Sequence, residues 1–528
     1  MFGQARLYLR LIREVRDFLK EPFTLEQSRR IIEERLKNRE GNLLALVKKA
    51  IYENDGSPYL KLLKLAGCEY GDFERMVHSD GVEGALQKLC KEGVYITIEE
   101  FKGKKEVRRG GKWYHFTSED FDNPLLRSHL QVRSSGSRSA GTRSFYNLDF
   151  ITQNVVLYNL PVFDAHDASS LPIAMWMPAM YGAGPLNLLA YTKGGNPPRK
   201  WFSPLESEAL SPSIKDRMAV TFFHLLGWVA GVRWPRPEYA AYDDAGRVAR
   251  WMADIIKEEG GCVLDTYASA AIRVCRAARE SGLDISGAVF IIGGEPVTQA
   301  KLREIESVGA RASIIYGISE AGFVGASCLA PATSDDIHLF HDSFALIQHE
   351  RVVPHAEVSV NAFLFTSLLP SAPKILFNVE SGDYGGLEER SCGCKLGELG
   401  FSRHLSSIRG FDRLTSEGMS FLGGDLVRII EEVLPSRFGG SSADYQLVEE
   451  EEEGQTRLTL VVSPSVGDLD EEEVIRLTIE ELAKGRSVQG MMAQVWKKAG
   501  TLRVRRAQPI TTGSGKLLPL HIEKSRER

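Results

Sequence analysis

The feature that most restricts the fold of this chain is an alternation of short apolar runs with helical segments between residues 247 and 317. The apolar runs are Cys262–Leu264, Ala288–Ile292 and Ala312–Ile315. Runs of this kind, separated by helices, are typical of a parallel sheet whose strands are buried on both faces. Ligands bind beyond the carboxyl ends of such strands. The segments Gly293-Gly294-Glu295 and Tyr316-Gly317 follow two of these ends, so we expect them to line a ligand site.

Length and composition indicate a packed enzyme with more than one domain. A chain of 528 residues is too long for one ordinary core, and its 43% hydrophobic and 26% charged residues lie within the range of globular proteins. The formal net charge of -5 provides no basic field for binding phosphate backbones. We therefore expect no nucleic-acid partner.

The sequence also lacks the usual signals for membrane insertion and secretion. No run approaches the roughly 20 apolar residues that a membrane helix needs. Residues 1–20 have an amphipathic pattern, which predicts a helix docked on the protein; a helix lying on a membrane surface is the alternative. Seven cysteines, a sparse and odd number, favour reduced thiols. We therefore expect a cytoplasmic protein without an integral membrane segment.

The pattern along the chain predicts three regions. Residues 1–95 are predicted to be mostly helical, residues 96–409 to form a large α/β domain with mixed sheets, and residues 410–528 to form a small α+β mobile domain. The helices predicted in the first region include Leu25–Lys37 and Asn42–Glu53, and the elements predicted in the last are strands Tyr445–Val448, Arg457–Val462 and Leu502–Arg506 and the helix Asp470–Lys484. The acidic run Glu449–Glu453 is predicted to be a solvated hairpin tip.

A loop rich in small hydroxyl residues precedes this alternation. Residues 134–143 read Ser-Ser-Gly-Ser-Arg-Ser-Ala-Gly-Thr-Arg. Glycines allow the backbone to approach a polyphosphate, hydroxyl and amide groups donate to phosphate oxygens, and arginines offset the charge. Such a stretch is also an ordinary flexible loop in many proteins. Its order is not that of a Walker loop, which places Lys-Ser/Thr at a fixed spacing before a helix.

Five segments in the same order make the chain similar to the adenylate-forming superfamily. After the loop come Gly293-Gly294-Glu295, Tyr316-Gly317-Ile318-Ser319-Glu320, Ser381-Gly382-Asp383 and Gly513-Ser514-Gly515-Lys516. The resemblance covers roughly residues 95–528 and is greatest to the phenylacetate-CoA ligase branch, on Tyr-Gly-x-Ser-Glu, the Cys-x-Cys segment and the short last domain. It implies ATP-dependent conversion of a carboxylic acid to acyl-AMP, followed by acyl transfer.

The resemblance also implies a role for each matching residue. The ATP phosphates would be held by Ser134, Ser135, Gly136, Ser137 and Thr142, and the adenine would be lined by Gly293, Gly294, Glu295, Tyr316 and Gly317. Ser319 would contact the α-phosphate or the acyl carboxylate, and Glu320 would hold Mg²⁺, a hard ion suited to carboxylate oxygens. Asp383 would accept hydrogen bonds from the ribose hydroxyls. Lys516 would bind the carboxylate and the α-phosphate during adenylation. Local structural roles are the alternative for each, such as bare turns at Gly293-Gly294 and Asp383.

Two segments depart from the pattern of the family. The phosphate loop has Arg138 to Gly141 where a lysine or second threonine is usual. The hinge reads Arg409-Gly410-Phe411-Asp412-Arg413, with Phe411 in place of the ribose-binding arginine. Arg409 or Arg413 would substitute for it, and Asp412 is the expected hinge residue.

A separate set of residues predicts a metal site. Cys328, His338, Cys392 and Cys394 provide three thiols and one imidazole, which suits tetrahedral Zn²⁺. Some phenylacetate-ligase relatives carry a structural zinc built from similarly placed residues. His341 competes with His338 for the fourth position, and free buried thiols are the alternative. Four protein ligands would leave no open position, so such a zinc would be structural.

The acid and the acyl acceptor are less restricted by the sequence. Met175 to Pro185 and Tyr267 are expected to form an apolar acyl pocket, which favours a fatty or aromatic acid, although ordinary core has the same composition. Coenzyme A is the expected acceptor; an acyl-carrier or synthetase protein thiol and an amine are the alternatives. The sequence leaves open whether the protein forms a homodimer. A catalytically silent protein that binds nucleotide or a partner is the alternative from another class.

Overall fold

The computed structural model describes residues 13–126, 130–133, 143–146, 148–179, 183–204, 227–295, 297–318, 320–352, 359–410, 413–416, 419–422, 426, 428–440, 444–452, 455–483, 496, 500–510 and 520–522. None of the helices in these ranges is long and apolar enough to cross a membrane. The expected α/β class is confirmed, since helices cover a large mixed sheet and a smaller sheet with its own helix follows it in the chain.

The described residues from 13 to 101 are mostly helical, and the predicted helix Leu25–Lys37 is among them. The helices are Leu25–Lys37, Arg39–Val47, Pro58–Leu65, Tyr70–Lys91 and Ile98–Phe101, with a π-helical turn at Lys48–Tyr52. The first helix has the predicted bounds because Thr24 and Gln27 form a capping box, in which each side chain accepts from the other's backbone N–H. Helices in this region pack against the large sheet, where Asn378 Nδ2 donates to the carbonyls of Leu86 and Val94.

The residues before the first helix dock on the protein. Residues 13–19 are helical and Val15 is buried. The Lys193 ammonium lies 5.2 Å from the centre of the Phe18 ring and donates to the carbonyl of Glu21 at 2.7 Å. This part of the amphipathic segment is therefore packed on the domain, in agreement with the docked interpretation.

Twelve strands form the large sheet. In chain order they are β5 (Ile173–Trp176), β6 (Lys200–Ser203), β7 (Glu238–Tyr239), β8 (Cys262–Tyr267), β9 (Ala288–Gly293), β10 (Arg311–Ile318), β11 (Gly322–Ala326), β12 (Ile337–Leu339), β13 (Phe344–Val352), β14 (Ser359–Ser367), β15 (Val379–Glu389) and β16 (Arg403–Gly410). They follow two short hairpins, β1 (Val107–Arg109) with β2 (Lys112–Tyr114) and β3 (Leu130–Arg133) with β4 (Arg143–Tyr146).

The sheet has a parallel half and an antiparallel half. Its order is β13-β14-β15-β16-β12-β11-β10-β9-β8-β5-β6-β7. All neighbours from β10 to β7 are parallel, and all neighbours from β10 to β13 are antiparallel. The predicted parallel strands are confirmed as β8, β9 and β10. The direction changes at β10, whose end carries Tyr316 and Gly317.

Helices cover both faces of the parallel half, which explains its continuous apolar strands. Along β8, Cys262 and Leu264 pack into one hydrophobic cluster and Val263 packs into the other, because successive side chains point to opposite faces. The helices after β7, β8 and β9 are Ala245–Glu259, Ala268–Glu280 and Gln299–Glu306, and those of the preceding segment are Leu148–Phe150, Leu157–Ala165 and Gly184–Lys193, with a π-helical turn at Ile151–Val156.

A four-stranded sheet lies near the end of the chain. Its strands are β19 (Tyr445–Glu452), β20 (Gln455–Val462), β21 (Leu502–Arg506) and β22 (Leu520–Ile522), in the order β21-β20-β19-β22. The helix Glu471–Ala483 follows β20, and the helix Leu434–Phe438 and hairpin β17 (Arg413–Ser416) with β18 (Met419–Leu422) precede it. The predicted small α+β unit is thus present. Its boundary at 409/410, the boundary at 95/96 and its mobility stay predictions.

The acidic run in this unit corrects one prediction. Glu449 to Glu452 belong to β19 rather than to a hairpin tip. Glu450 is mostly withdrawn from solvent, with its carboxylate accepting from Thr459 at 2.6 Å and from Arg505 at 2.6 Å. Basic residues on β21 explain the difference, because they offset the charge of an acidic strand two positions away in the sheet.

Candidate active site

Gly293 and Gly294 form the end of β9 at the carboxyl edge of the parallel half. A Cβ on Gly293 would lie 2.7 Å from the carbonyl oxygen of Ile315 on β10, so a larger residue would force the two strands apart. Gly294 has φ +77° and lies against the ring of Tyr267, where a Cβ would be 3.4 Å from the ring. The left-handed backbone requires glycine here. The two glycines therefore allow β9 to pack closely against β10 and the chain to turn at this edge.

Glu295 stabilises the helix that follows β8. Its carboxylate accepts hydrogen bonds from the backbone N–H and the hydroxyl of Ser269, both at 2.8 Å. Ser269 belongs to the first turn of the helix Ala268–Glu280. The N–H groups of a first turn have no partner within their own helix. The side chain of Glu295 therefore binds the start of this helix. If Glu295 lines the adenine as predicted, it does so through its backbone.

Tyr316 and Asp383 meet at the same edge. Ile315 is paired with Gly293, so Tyr316 and Gly294 are the next residues on adjacent parallel strands. The Tyr316 hydroxyl donates to Asp383 Oδ2 at 2.8 Å, and the carboxylate of Asp383 is buried. The backbone N–H of Asp383 donates to the Ser381 hydroxyl oxygen at 3.2 Å. Two residues predicted to bind the nucleotide, from distant segments of the chain, are thus in direct contact.

Arg409 lies on the strand next to Asp383. In the pairing of β15 with β16, Asp383 is opposite Gly410 and Arg409 is opposite Tyr384. The guanidinium donates to Asp335 Oδ2 at 2.9 Å and to the carbonyl of Ile408 at 2.7 Å. Because successive side chains point to opposite faces of a sheet, Arg409 shares a face with Tyr384 and not with Asp383. The structure therefore does not bring the predicted substitute for the ribose-binding arginine to this carboxylate.

Glu320 follows β10 in the turn to β11. Its carboxylate oxygen Oε1 lies 4.0 Å from the ammonium of Lys102, and the two side chains are 15% and 11% exposed. The Lys102 ammonium offsets the negative charge of Glu320, a task that a bound divalent cation would otherwise perform. Sequence reasoning missed Lys102, which lies near the start of the region predicted to be the large α/β domain.

Several predicted residues lie outside the described residues. They are Ser134, Ser135, Gly136, Ser137, Thr142, Ser319, Asp412 and Lys516. The strands on either side of the predicted phosphate loop are described, and β3 pairs with β4 in antiparallel fashion with Arg133 opposite Arg143. The loop is thus the connection of a hairpin, and the roles of these residues stay predictions.

The four predicted metal ligands come together in the antiparallel half. The Cys328, Cys392 and Cys394 sulfurs and an imidazole nitrogen of His338 all lie within 4.8 Å of one another. His338 Nε2 is 3.4 Å from the sulfur of Cys392 and 3.2 Å from that of Cys394. His338 belongs to β12, Cys328 follows β11, and the Cys-x-Cys pair belongs to the β15–β16 connection. The donor set and its compactness fit a tetrahedral Zn²⁺.

Groups around this cluster orient its donors. His338 Nδ1 lies 2.7 Å from the carbonyl oxygen of Phe401, which requires an N–H at Nδ1 and leaves the lone pair of Nε2 for the sulfur side. A hydrogen bond from the Cys328 thiol lowers the pKa of Cys394, which favours a thiolate in the set. His341 lies apart, near the carbonyl of Leu339. The structure therefore places His338 in the set and leaves His341 out.

The predicted acyl pocket is described only in part. Met175 and Trp176 of β5 are fully buried, and Met180 and Tyr181 lie outside the described residues. A buried carboxylate, Asp265 of β8, is close to Tyr267 and was missed from the sequence. Its Oδ2 accepts from Asn187 Nδ2 at 2.7 Å and from the Tyr191 hydroxyl at 2.8 Å. Burial raises the pKa of Asp265 to about 6. The signal that could have identified it is a carboxylate directly after the apolar run Cys262–Leu264.

Comparisons with known proteins agree with this architecture at the level of fold. No protein-family model matches the chain, and no curated protein matches its sequence. The solved structure of 2-hydroxyisobutyryl-CoA ligase, in complex with 2-HIB-AMP and CoA, is similar with a TM-score of 0.52 and 14% identity over 93% of this chain and 90% of that chain. A structure of McyG A-PCP complexed with phenylalanyl-adenylate gives a TM-score of 0.34 and 11% identity over 82% of this chain and 62% of that chain. The chain therefore has the fold of the adenylate-forming enzymes.

Proposed function

We propose that the chain is an ATP-dependent acid–thiol ligase, which converts a carboxylic acid to acyl-AMP with release of pyrophosphate and then transfers the acyl group to coenzyme A. The observation that carries the proposal is the hydrogen bond between Tyr316 and Asp383, beside Gly294 at the carboxyl edge of the parallel strands. This edge is where open α/β sheets bind nucleotides.

The nucleoside of ATP would lie against this edge. The Tyr316 ring provides an apolar surface for the adenine, and Gly294 lies beside it at the same edge. Gly293 and Gly317 keep the neighbouring backbone close, since a Cβ on either would meet a carbonyl oxygen. Tyr316 fixes the orientation of the Asp383 carboxylate, which accepts hydrogen bonds from the ribose hydroxyls.

The phosphates would lie towards the turn that carries Glu320. A magnesium ion bound there would offset the charge of the triphosphate and align it for attack by the carboxylate oxygen on the α-phosphorus. Glu320 would hold the ion through its carboxylate, and Ser319 and the loop of Ser134 to Thr142 would donate to the phosphate oxygens. Lys516 would bind the α-phosphate and the acid as charge builds on the transferring phosphoryl group. Rotation of the small domain would then remove Lys516 before thiol transfer.

The acid is proposed to be fatty or aromatic. The support is the apolar character of Met175, Met177 and Tyr267 near the nucleotide edge. The nearby carboxylate of Asp265 is already hydrogen-bonded to Asn187 and Tyr191. Coenzyme A as the acceptor is supported by the solved ligase with the similar fold, which was obtained in complex with CoA. A carrier-protein thiol or an amine would use the same acyl-AMP.

A structural zinc is the second part of the proposal. Cys328, Cys392, Cys394 and Nε2 of His338 would hold the ion, and the Phe401 carbonyl would fix the imidazole. With four protein ligands, the ion would cross-link strand β12 to the β11–β12 and β15–β16 connections and take no part in the reaction.

Pyrophosphate exchange into ATP tests the ligase proposal directly. The purified chain is assayed with a panel of fatty and aromatic acids, and acid-dependent exchange is expected with at least one, abolished in Lys516→Ala. Each active acid is then offered with coenzyme A and with an amine to identify the acceptor. Measurable ATP binding without exchange for any acid would contradict the ligase and favour the silent nucleotide-binding alternative.

A further inference from the structure

Residues 96–102, which directly follow the helical first region, lie along β15 and reach the nucleotide edge. The backbone N–H of Ile96 donates to the carbonyl of Asn378 at 3.0 Å, and the N–H of Glu380 donates to the carbonyl of Ile96 at 2.9 Å. The N–H of Ile98 donates to the Glu380 carboxylate at 3.2 Å. Asp383 is three residues further along the same strand. Backbone pairing therefore brings residues 96–102 to the part of the sheet that carries the proposed ribose contact.

Side-chain contacts hold this segment in place. Glu99 accepts two hydrogen bonds from Arg351, at 2.8 and 2.9 Å, and Glu100 accepts two from Arg109, at 2.9 and 3.0 Å. Thr97 caps the short helix Ile98–Phe101 and forms a capping box with Glu100. Because paired, partly buried ions with bidentate geometry restrict motion more than single exposed pairs, the end of this helix is a fixed point.

Lys102 is the first residue after that helix, and its ammonium faces Glu320. The distance from Nζ to Glu320 Oε1 is 4.0 Å, and both side chains are mostly withdrawn from solvent. At this separation and burial the charges interact more strongly than they would on an open surface. A lysine is thus held beside the carboxylate that would bind magnesium.

A divalent cation at Glu320 would change the surroundings of Lys102. The metal would take over the negative charge of Glu320 and repel the ammonium, so that Lys102 would need another anion at the same place. The β- and γ-phosphates of the metal-bound nucleotide provide one. The sequence supports this, because residues 134–142, the proposed phosphate loop, contain an arginine but no lysine.

We infer that Lys102 is a phosphate-binding residue of the nucleotide site, supplied by the segment 96–102 that packs along β15. It pairs with Glu320 when the nucleotide is absent and binds the β- and γ-phosphate oxygens when the magnesium complex of ATP is bound. The inference rests on the proposed function and deepens it. Since AMP and acyl-AMP lack these phosphates, the contact is made to ATP and to pyrophosphate and is lost when pyrophosphate departs.

Binding measurements with three variants test the inference. Lys102→Met removes the charge, Lys102→Arg retains it, and Lys105→Met removes an exposed charge from the same segment as a matched control. Dissociation constants for ATP and pyrophosphate with magnesium, and for AMP, are measured by calorimetry, with melting temperatures to check folding. We expect Lys102→Met to lower the affinity for ATP and for pyrophosphate about tenfold and to leave the affinity for AMP unchanged, as for the loss of one charge-assisted hydrogen bond. Lys102→Arg should retain most of the affinity, and Lys105→Met all of it.

The outcomes separate this inference from the proposed function. An equal loss of ATP and AMP affinity in Lys102→Met, or no loss of either, would overturn the role of Lys102, whether or not the unaltered chain supports pyrophosphate exchange. A selective loss of ATP and pyrophosphate affinity in a chain that shows no exchange with any acid would support Lys102 and reject the ligase. A chain that binds neither ATP nor AMP would reject both.

Discussion

The Tyr316 hydroxyl donates to the Asp383 carboxylate at 2.8 Å, although three strands separate β10 from β15 in the order of the sheet. In a flat sheet, strands four positions apart would be about 19 Å from each other, since neighbours are spaced at about 4.8 Å. The antiparallel half must therefore curl back towards the end of β10. This curvature creates the candidate nucleotide site, because it brings a residue from each half into contact.

The first prediction concerns this contact. Tyr316→Phe retains the ring and removes the hydroxyl, so the Asp383 carboxylate loses a hydrogen bond. A bond to a charged acceptor contributes about 1.5–3 kcal/mol, and we expect the KM for ATP in pyrophosphate exchange to rise about tenfold or more, with a smaller change in kcat. Tyr445→Phe is the control, since its hydroxyl donates to the Gly439 carbonyl in the small unit. A KM that does not move in Tyr316→Phe would argue against a ribose contact at Asp383.

The second prediction concerns Glu320. Glu320→Gln keeps the shape of the side chain but removes the charge that would bind magnesium. We expect the Mg²⁺ concentration for half-maximal exchange to rise at least about tenfold, because a neutral amide is a weaker ligand for a hard cation. Glu388→Gln, which changes an exposed carboxylate on β15 that pairs with Arg390, is the matched control. An unchanged magnesium dependence would show that another group holds the metal.

The third prediction concerns the cysteine cluster. We expect about one equivalent of zinc in the purified chain, with a lower melting temperature after removal by a chelator. Cys394→Ser and His338→Ala should each lower the zinc content, because each removes one of four donors. Cys275→Ala, a change of a buried thiol on the helix Ala268–Glu280, should retain the metal. Elemental analysis showing less than half an equivalent in the unaltered chain would favour free thiols.

The fourth prediction concerns the pH dependence of stability. The pKa of Asp265 is raised by burial from 3.8 to about 6, so between these values the folded chain keeps a proton that the unfolded chain has lost. The free energy of unfolding therefore falls as pH rises through this window. Asp265→Asn removes this effect, and its stability relative to the unaltered chain should increase between pH 4 and pH 7 by up to about 3 kcal/mol.

Urea denaturation of both chains at several pH values measures this difference. Asp17→Asn changes a carboxyl that is 69% exposed and should leave the pH profile as it is in the unaltered chain. A constant difference between Asp265→Asn and the unaltered chain at all pH values would show that Asp265 is ionised in the fold throughout.

The sequence predicted the parallel half well, for a physical reason. Its strands are buried on both faces, so they appear as continuous apolar runs, and β8, β9 and β10 were found at the expected places. The helix Leu25–Lys37 was predicted with its bounds because its capping signal is local. The cysteine and histidine set was also found from the sequence, since ligand chemistry restricts which residues can take part.

Contacts between distant segments could not be predicted in the same way. Nothing local in the sequence places Lys102 beside Glu320, because the distance between their charged groups depends on how residues 96–102 pack along β15. The acidic strand β19 was taken for a hairpin tip because its basic partners, such as Arg505, occur some 50 residues later. The resemblance supplied the roles of the ordered motifs, and the fold supplied their contacts.

The shortness of β12 has a consequence for how the protein opens. This strand has three residues and meets β11 and β16 through two residue pairs each. It lies between the part of the sheet that carries Tyr316 and the part that carries Asp383, and few backbone hydrogen bonds join the two through it. The side chains of β12 are buried, and the proposed zinc would hold His338 to the connections on either side, so we expect the sheet to open here only after the ion is removed. Native-state hydrogen exchange would then detect two cooperative units, and a ligand that contacts both would slow the exchange of each.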